Sequence, residues 1–256
     1  AVFIAIGMCG TILYLPLFVQ AVLGRTATNS GAVLTPMMLG FVFSSILGGQ
    51  ILSRTGRYKF LGIGTVAVAV VGMFLLSRMD IHTTSAVVVR NMIILGLGIG
   101  TTMSLFTIII QNAFPLERLG EVTSALTFFR SIGGTVGAAI LGTVMTNRFQ
   151  DELAVRIPPE VRAVVPAERL AVLQNPQIFM SPEAMQQMRQ QAAAFGPQGQ
   201  QLLELLLQAI RESLAVAIDH VFLAGMIILL LALLLTFIIP EIPLQRRGGR
   251  PPAVGH

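Results

Sequence analysis

Tryptophan is absent from this 256-residue chain, cysteine occurs once and histidine three times. A single cysteine, Cys9, cannot close an internal disulfide or build a cysteine-rich metal site. Set in an apolar run, it reads as a small packing residue. Charge is scarce as well. Asp, Glu, Lys and Arg make up 11% of the chain, less than half of the roughly 25% usual in soluble domains. With 54% hydrophobic residues and a mean hydropathy of +0.78, that shortage argues against a soluble globule and for a membrane protein. The net charge of +5 comes without a basic stripe interleaved with aromatics, which argues against nucleic acid as a partner. His82 and His256 lie outside the apolar runs, so no metal or nucleophile cluster is supported.

What the chain has in quantity is long apolar runs. A helix needs roughly 20 apolar residues to cross a bilayer, and six runs qualify: about 1–22, 31–52, 60–77, 86–111, 122–146 and 213–239. The fold class is therefore all-α integral membrane, with the lipid bilayer as a partner. Pro16 and Pro36 fall inside runs, which neighbouring helices tolerate in a membrane. The chain opens directly on an apolar run, with no Met and no basic segment before it. That is unlike a signal peptide, and the start reads as a cut through a longer protein.

Alternation sets the sides. One group of short segments holds Arg54, Arg57, Lys59, Arg118, Arg246, Arg247 and Arg250; the other holds only Arg25 and Arg78. Seven cations against two place the first group, and the tail 240–256, in the cytoplasm by the positive-inside rule. Residues 147–212 then face outside, as an extracellular insert rich in Gln, Pro, Glu and Arg. Within it "SPEAMQQMRQQAAAF" carries a Ser181 cap and Pro182 at the first helical position, which predicts a helix. "PAERLAVL" reads as a second short helix. "QLLELLLQAIRES", from Gln200, reads as a helix running into the last span. The insert is either a plain connection or a helical hairpin that shapes the outer mouth.

The stretch "YLPLFVQAVLGRTATNSGAVLTPMMLGFVFSSILGGQILSRTGRY" resembles the multidrug branch of the major facilitator superfamily. Within that branch it looks like the fourteen-span EmrB/QacA-type drug:proton antiporters. The matching residues are Leu15, Pro16, Leu17, Gln20, Gly31, Pro36 and Gly40. "ALTFFRSIGGTVGAAILG" resembles that branch's Arg-x-x-Gly-Gly-x-x-Gly span, and "FIIPEIPLQ" its C-terminal exit. The superfamily's cytoplasmic signature, Gly-x-Leu-x-Asp-Arg-x-Gly-Arg-Arg, is similar to Gly49, Ile51, Ser53, Arg54, Gly56 and Arg57. Ser53 stands where the signature has its acid. The resemblance implies that this is the weaker, second-half copy. The chain would then be the C-terminal six-helix half, and the N-terminal half of the same chain would be its partner. Simple anchoring of the cations Arg54, Arg57 and Lys59 at anionic headgroups explains the loop equally well.

Ionisable residues inside spans are rare and usually face a cavity or a partner. Arg130 lies about eight residues into its span. It either snorkels, pairs with Glu121 or Glu117, or meets a carboxylate in the other half. Arg90, near an outer end, reads as snorkelling. Asp219 is the one acid within a proposed span: either a proton carrier or an interfacial acid in water. Tyr14 (with Thr11), Asn91 and Thr102 (with Gly98), and Thr127 (with Thr123 and Gly134) form rows at helical spacing. These rows either line a substrate path or make helix–helix hydrogen bonds. Gly96 with Gly100, and Gly133 with Gly137, are small-xxx-small pairs that let helices approach closely.

The resemblance implies a secondary active transporter in the plasma or bacterial inner membrane. It would export lipophilic drugs or toxic metabolites, cationic ones among the candidates, by proton antiport and alternating access. It implies no catalytic residue, no metal and no cofactor, the proton gradient supplying the energy. An exporter of lipids, peptides or an endogenous natural product is the alternative. An enzyme reading lacks an intramembrane cluster, and a scaffold reading leaves Arg130 without a reason.

Overall fold

The computed structural model describes residues 1–24, 27–56, 58–159, 161 and 182–238. The regular elements among them are all helical: α1 (Val2–Leu17), which continues as a π-helical turn over Phe18–Val22, α2 (Ala27–Thr55), α3 (Tyr58–Leu76), α4 (Ser85–Asn112), a 3-10 turn at Leu116–Arg118, α5 (Leu119–Arg156), α6 (Pro182–Ala194) and α7 (Gly196–Ile238). Six helices are long and apolar enough to cross a membrane among the described residues, one for each apolar run.

Two of them outrun their apolar stretches. α5 has 38 residues and α7 has 43. At 1.5 Å per residue they are about 57 and 64 Å long, roughly twice the ~30 Å hydrocarbon thickness of a bilayer. Hydropathy falls beyond Met145, but backbone hydrogen bonding does not depend on hydropathy, so the helix continues. Residues 147–156 prolong α5 and residues 196–212 open α7. The segment read as an insert is thus partly an extension of two helices. α6 starts at Pro182 as the sequence predicts. The "PAERLAVL" segment, Arg25, Arg57 and residues 239–256 lie outside the described residues.

The extensions are packed and paired. Phe149 and Leu153 of α5 and Leu206 and Ile210 of α7 share a buried core with Phe18 and Val22 at the end of α1. Arg156 bonds Glu152 at 2.9 Å, one turn away, and Glu212 of α7 at 3.2 Å.

The six long helices form two exchanged three-helix units, α1–α3 and α4, α5 and α7. α2 packs on α4, and in the corresponding place α5 packs on α1; α3 packs on α4, and α7 on α1; α3 and α7 meet each other. The glycine contacts give the directions. Gly40 lies against Ile93 and Gly48 against Thr101, so α2 and α4 run parallel. Gly133 lies against Val2 and Gly137 against Ile6, so α1 and α5 run parallel. Gly72 against Leu95 and Gly98 against Ala69 make α3 and α4 antiparallel. A three-helix unit ends on the side opposite its start, so the two units have inverted topology, an arrangement common to many transport folds.

Small residues make both parallel crossings close. A Cβ on Gly100 would collide with the Phe41 carbonyl oxygen and Ser44 Oγ, and one on Gly137 would sit 2.8 Å from Ile6 Cα. The glycine pairs seen in the sequence are therefore contact points between helix backbones. Such contacts suit a membrane, where close packing replaces the hydrophobic effect as the force between helices.

Candidate functional site

At the α2–α3 junction, Gly56 has φ +66° and its N–H donates to the Leu52 carbonyl at 2.9 Å. This is a left-handed helix stop that glycine adopts without strain. It reverses the chain within two residues, so Tyr58 opens α3 and packs, buried, against Leu52 and Leu105. Ser53 and Arg54 are exposed. The Ser53 hydroxyl donates to the Gln50 carbonyl at 2.8 Å. Gly49 has open space where a Cβ would be. Among the described residues Arg54 has no ion-pair partner.

Deeper in α5, Arg130 is half-buried. Its Nη2 donates to the Met103 carbonyl at 3.0 Å and to Thr107 Oγ1 at 2.8 Å, both on α4. Its Nε is buried with no acceptor. Two turns nearer the start of α5, Gln111 of α4 donates to Thr123 Oγ1 at 3.2 Å. These bonds join α4 and α5, which otherwise meet little. Glu121 does not pair with Arg130. Nine residues separate them, about 2.5 helical turns, so they leave opposite sides of α5. Glu121 instead lines a 480 Å³ pocket with Val2, Ile110, Phe114, Arg118 and Phe129, where α1, α4 and α5 converge.

The other polar rows divide. Asn91 and Thr102 are buried between helices. Asn91 Nδ2 donates to the Leu75 carbonyl at 3.0 Å, and its Oδ1 accepts from Arg90. Thr102 Oγ1 donates to the Gly98 carbonyl at 2.7 Å and meets Thr65 Oγ1 at 3.0 Å. Both side chains are occupied in joining α4 to α3. Thr11 is buried too, beside Met73 Sδ. Thr127 is exposed, and with Ser131 and Thr135 it makes a row of hydroxyls one turn apart along α5. Thr127 and Thr135 bond back to the carbonyls of Thr123 and Ser131. Tyr14 is half-buried, its hydroxyl 3.4 Å from where a Cβ on Gly142 would lie.

Asp219 sits apart from these. It is half-buried on α7, within electrostatic reach of Asp80 and Arg78 in the α3–α4 loop, and its Oδ1 is buried with no hydrogen bond. Asp80 is engaged locally, accepting from the His82 N–H at 3.0 Å and the Thr83 hydroxyl at 2.9 Å. Arg78 lies over the Phe74 ring, 5.1 Å from its centroid.

Sequence reasoning named Arg130 but missed what holds it, Thr107 and the Met103 carbonyl. It also missed Ser44 and Thr101, which tie α2 to α4: Thr101 Oγ1 donates to the Ser44 carbonyl at 2.7 Å, and Ser44 Oγ to the Gly96 carbonyl at 3.4 Å. The available signal was that each of these hydroxyls lies within a long apolar run.

The family model for the Major Facilitator Superfamily matches residues 1–138, more than half of the chain. The chain belongs to the Major Facilitator Superfamily. It is accordingly an integral membrane protein. It is 33% identical over 257 residues to the multidrug transporter protein MdtP of Bacillus subtilis, covering 96% of this chain and 45% of that one. It is 37% identical over 145 residues to a tetracycline resistance determinant of Streptomyces rimosus, 56% of this chain and 41% of the relative. It is 32% identical over 148 residues to the MFS acetylaranotin efflux transporter ataA of Aspergillus terreus, 57% and 33% of the two chains. The chain thus spans less than half the length of these relatives.

Proposed function

We propose that this chain is the C-terminal half of a fourteen-span, proton-coupled exporter of lipophilic drugs or toxic metabolites. The observation that carries the reading is a polar face which the bundle does not bury: Arg130 and the hydroxyls of Thr127, Ser131 and Thr135 on α5. An apolar helix of membrane length gains nothing from such a face in lipid. It gains from it when facing a substrate path between two halves that rock about a central site. The inverted three-helix units supply the frame, and the names of the relatives, multidrug and tetracycline resistance among them, support export. The degenerate signature at Ser53 supports the second-half assignment. The excess of cations at the α2–α3 junction and in the tail supports a cytoplasmic C-terminus.

The direct test is dye efflux from cells expressing the whole protein. Energised efflux that a protonophore abolishes is expected; efflux that persists unchanged would remove proton antiport. An endogenous product as cargo is the second reading, favoured by the relative named for acetylaranotin efflux. Under it the whole protein exports no foreign dye, and its deletion makes a cellular product accumulate.

A further inference from the structure

We propose that Arg130 is a docking point for an oxyanion, a carboxylate above all, at the place where α4 and α5 meet. The inference rests on the transport reading and names the chemistry of its cargo. Arg130 carries a fixed positive charge within a membrane-length helix, and no carboxylate pairs with it among the described residues. Nη2 is fully used by Met103 and Thr107, which aim the guanidinium across to α4. Nη1 has no acceptor among the described residues, and Nε is buried without one. A guanidinium pinned through Nη2 cannot form the two-bond fork, because both fork geometries use an Nη2 hydrogen. It leaves Nη1 to donate one charge-assisted hydrogen bond to an oxyanion, beside an otherwise unpaired charge. The surroundings agree. Thr107 of α4 brings a hydroxyl to the guanidinium, and Thr127 lies one turn before Arg130 on α5. Glu121 leaves the opposite side of α5, and Asp219 sits on α7 within electrostatic reach of Arg78 and Asp80. A lipophilic cation would meet an uncompensated positive charge here; a lipophilic acid, or a neutral molecule rich in acceptor oxygens, would be held.

The oxyanion has two sources: the transported molecule, or an acidic side chain elsewhere in the whole protein. The test uses the purified whole protein in detergent and measures equilibrium binding of 1-pyrenebutyrate, its methyl ester and ethidium. If cargo supplies the group, the wild type binds the acid about tenfold more tightly than the ester. Arg130→Gln then erases that gap, Arg130→Lys keeps part of it, and ethidium binding by Arg130→Gln is unchanged or tighter. If the protein supplies it, acid and ester bind alike and Arg130→Gln lowers thermal stability. Changing one membrane carboxylate to its amide in that background then restores the stability. Acid and ester bound alike, with no amide substitution that restores Arg130→Gln, would overturn the proposal and leave Arg130 as a strut between α4 and α5. Binding needs no transport, so discrimination between acid and ester without efflux by the whole protein would sink the export reading and leave this site standing.

Discussion

The two parallel crossings occupy equivalent places in the exchanged units, yet they are built differently. Where α2 meets α4, backbones touch and hydroxyls tie them: Thr101 to the Ser44 carbonyl, Ser44 to the Gly96 carbonyl, Ser45 to Ser104. Where Val2–Gly10 of α1 meets Gly133–Leu141 of α5, the contacts are apolar, with Gly137 on Ile6 and Gly10 on the Leu141 side chain. No hydrogen bond joins the helices along that stretch. A hydrogen-bonded seam has one register. A smooth apolar seam has less to break when one helix slides over the other. The comparison assigns α2–α4 as a clamp and α1–α5 as the seam where motion is cheaper.

The largest expected effect tests the clamp by overfilling it. Gly100→Val places atoms on the Phe41 carbonyl and Ser44 hydroxyl, which cannot move without opening the seam. The cost should be at or above the ~3 kcal/mol upper end of usual overpacking effects, read as loss of folded protein or a large fall in melting temperature. Gly137→Val meets the α1 backbone at Ile6, but without a hydrogen-bond network to break, and should cost about 1–3 kcal/mol. Gly134→Val, with no atom within 4 Å of the new Cβ, should fall within about 0.5 kcal/mol of wild type. Equal losses at Gly100 and Gly137 would erase the distinction between the seams.

A smaller change removes only the tie. Thr101→Val keeps the shape and deletes the donor to the Ser44 carbonyl. Hydrogen bonds between membrane helices are worth about 0.6 kcal/mol on average and up to ~1.7. A loss in that range by thermal unfolding of the whole protein is expected. No measurable loss would mean that packing alone holds α2 on α4.

The same contrast shows what the sequence made legible. The six spans follow from run length, and the close approach at Gly100 and Gly137 from four-residue spacing. Both are local signals. The left-handed stop at Gly56 follows from a lone glycine between two helical runs. The extension of α7 was legible in the helical pattern from Gln200, but that of α5 to Arg156 was not, because hydropathy reports immersion in lipid while helix continuity is set by the backbone. The roles of the polar rows were not legible either. Asn91, Thr102 and Thr127 all fall in rows at helical spacing, yet two are buried in helix contacts and one is exposed. That difference depends on which helix lies opposite, which run length and spacing do not encode. Arg130 stood out as a charge in an apolar run, but its partners come from α4, twenty-three and twenty-seven residues away in sequence.

The smallest effect compares the far ends of the two equivalent helices, α2 and α5. At the end of α5, Arg156 holds Glu152 and reaches Glu212 on α7, with all three side chains about one-third exposed. At the end of α2, Arg54 is exposed and pairs with no acid among the described residues. Partly exposed ion pairs contribute little, roughly 0.2–1 kcal/mol, and salt screens them over about 8–10 Å at physiological strength. Arg156→Gln should therefore lower stability by no more than about 1 kcal/mol, and high salt should shrink the difference. Arg54→Gln should leave stability unchanged at any salt, because no pair is lost. If the two substitutions cost the same, the end of α5 is no more tied than the end of α2. The extended part of α5 would then be anchored by the burial of Phe149 and Leu153 against Leu206 and Ile210 rather than by charge.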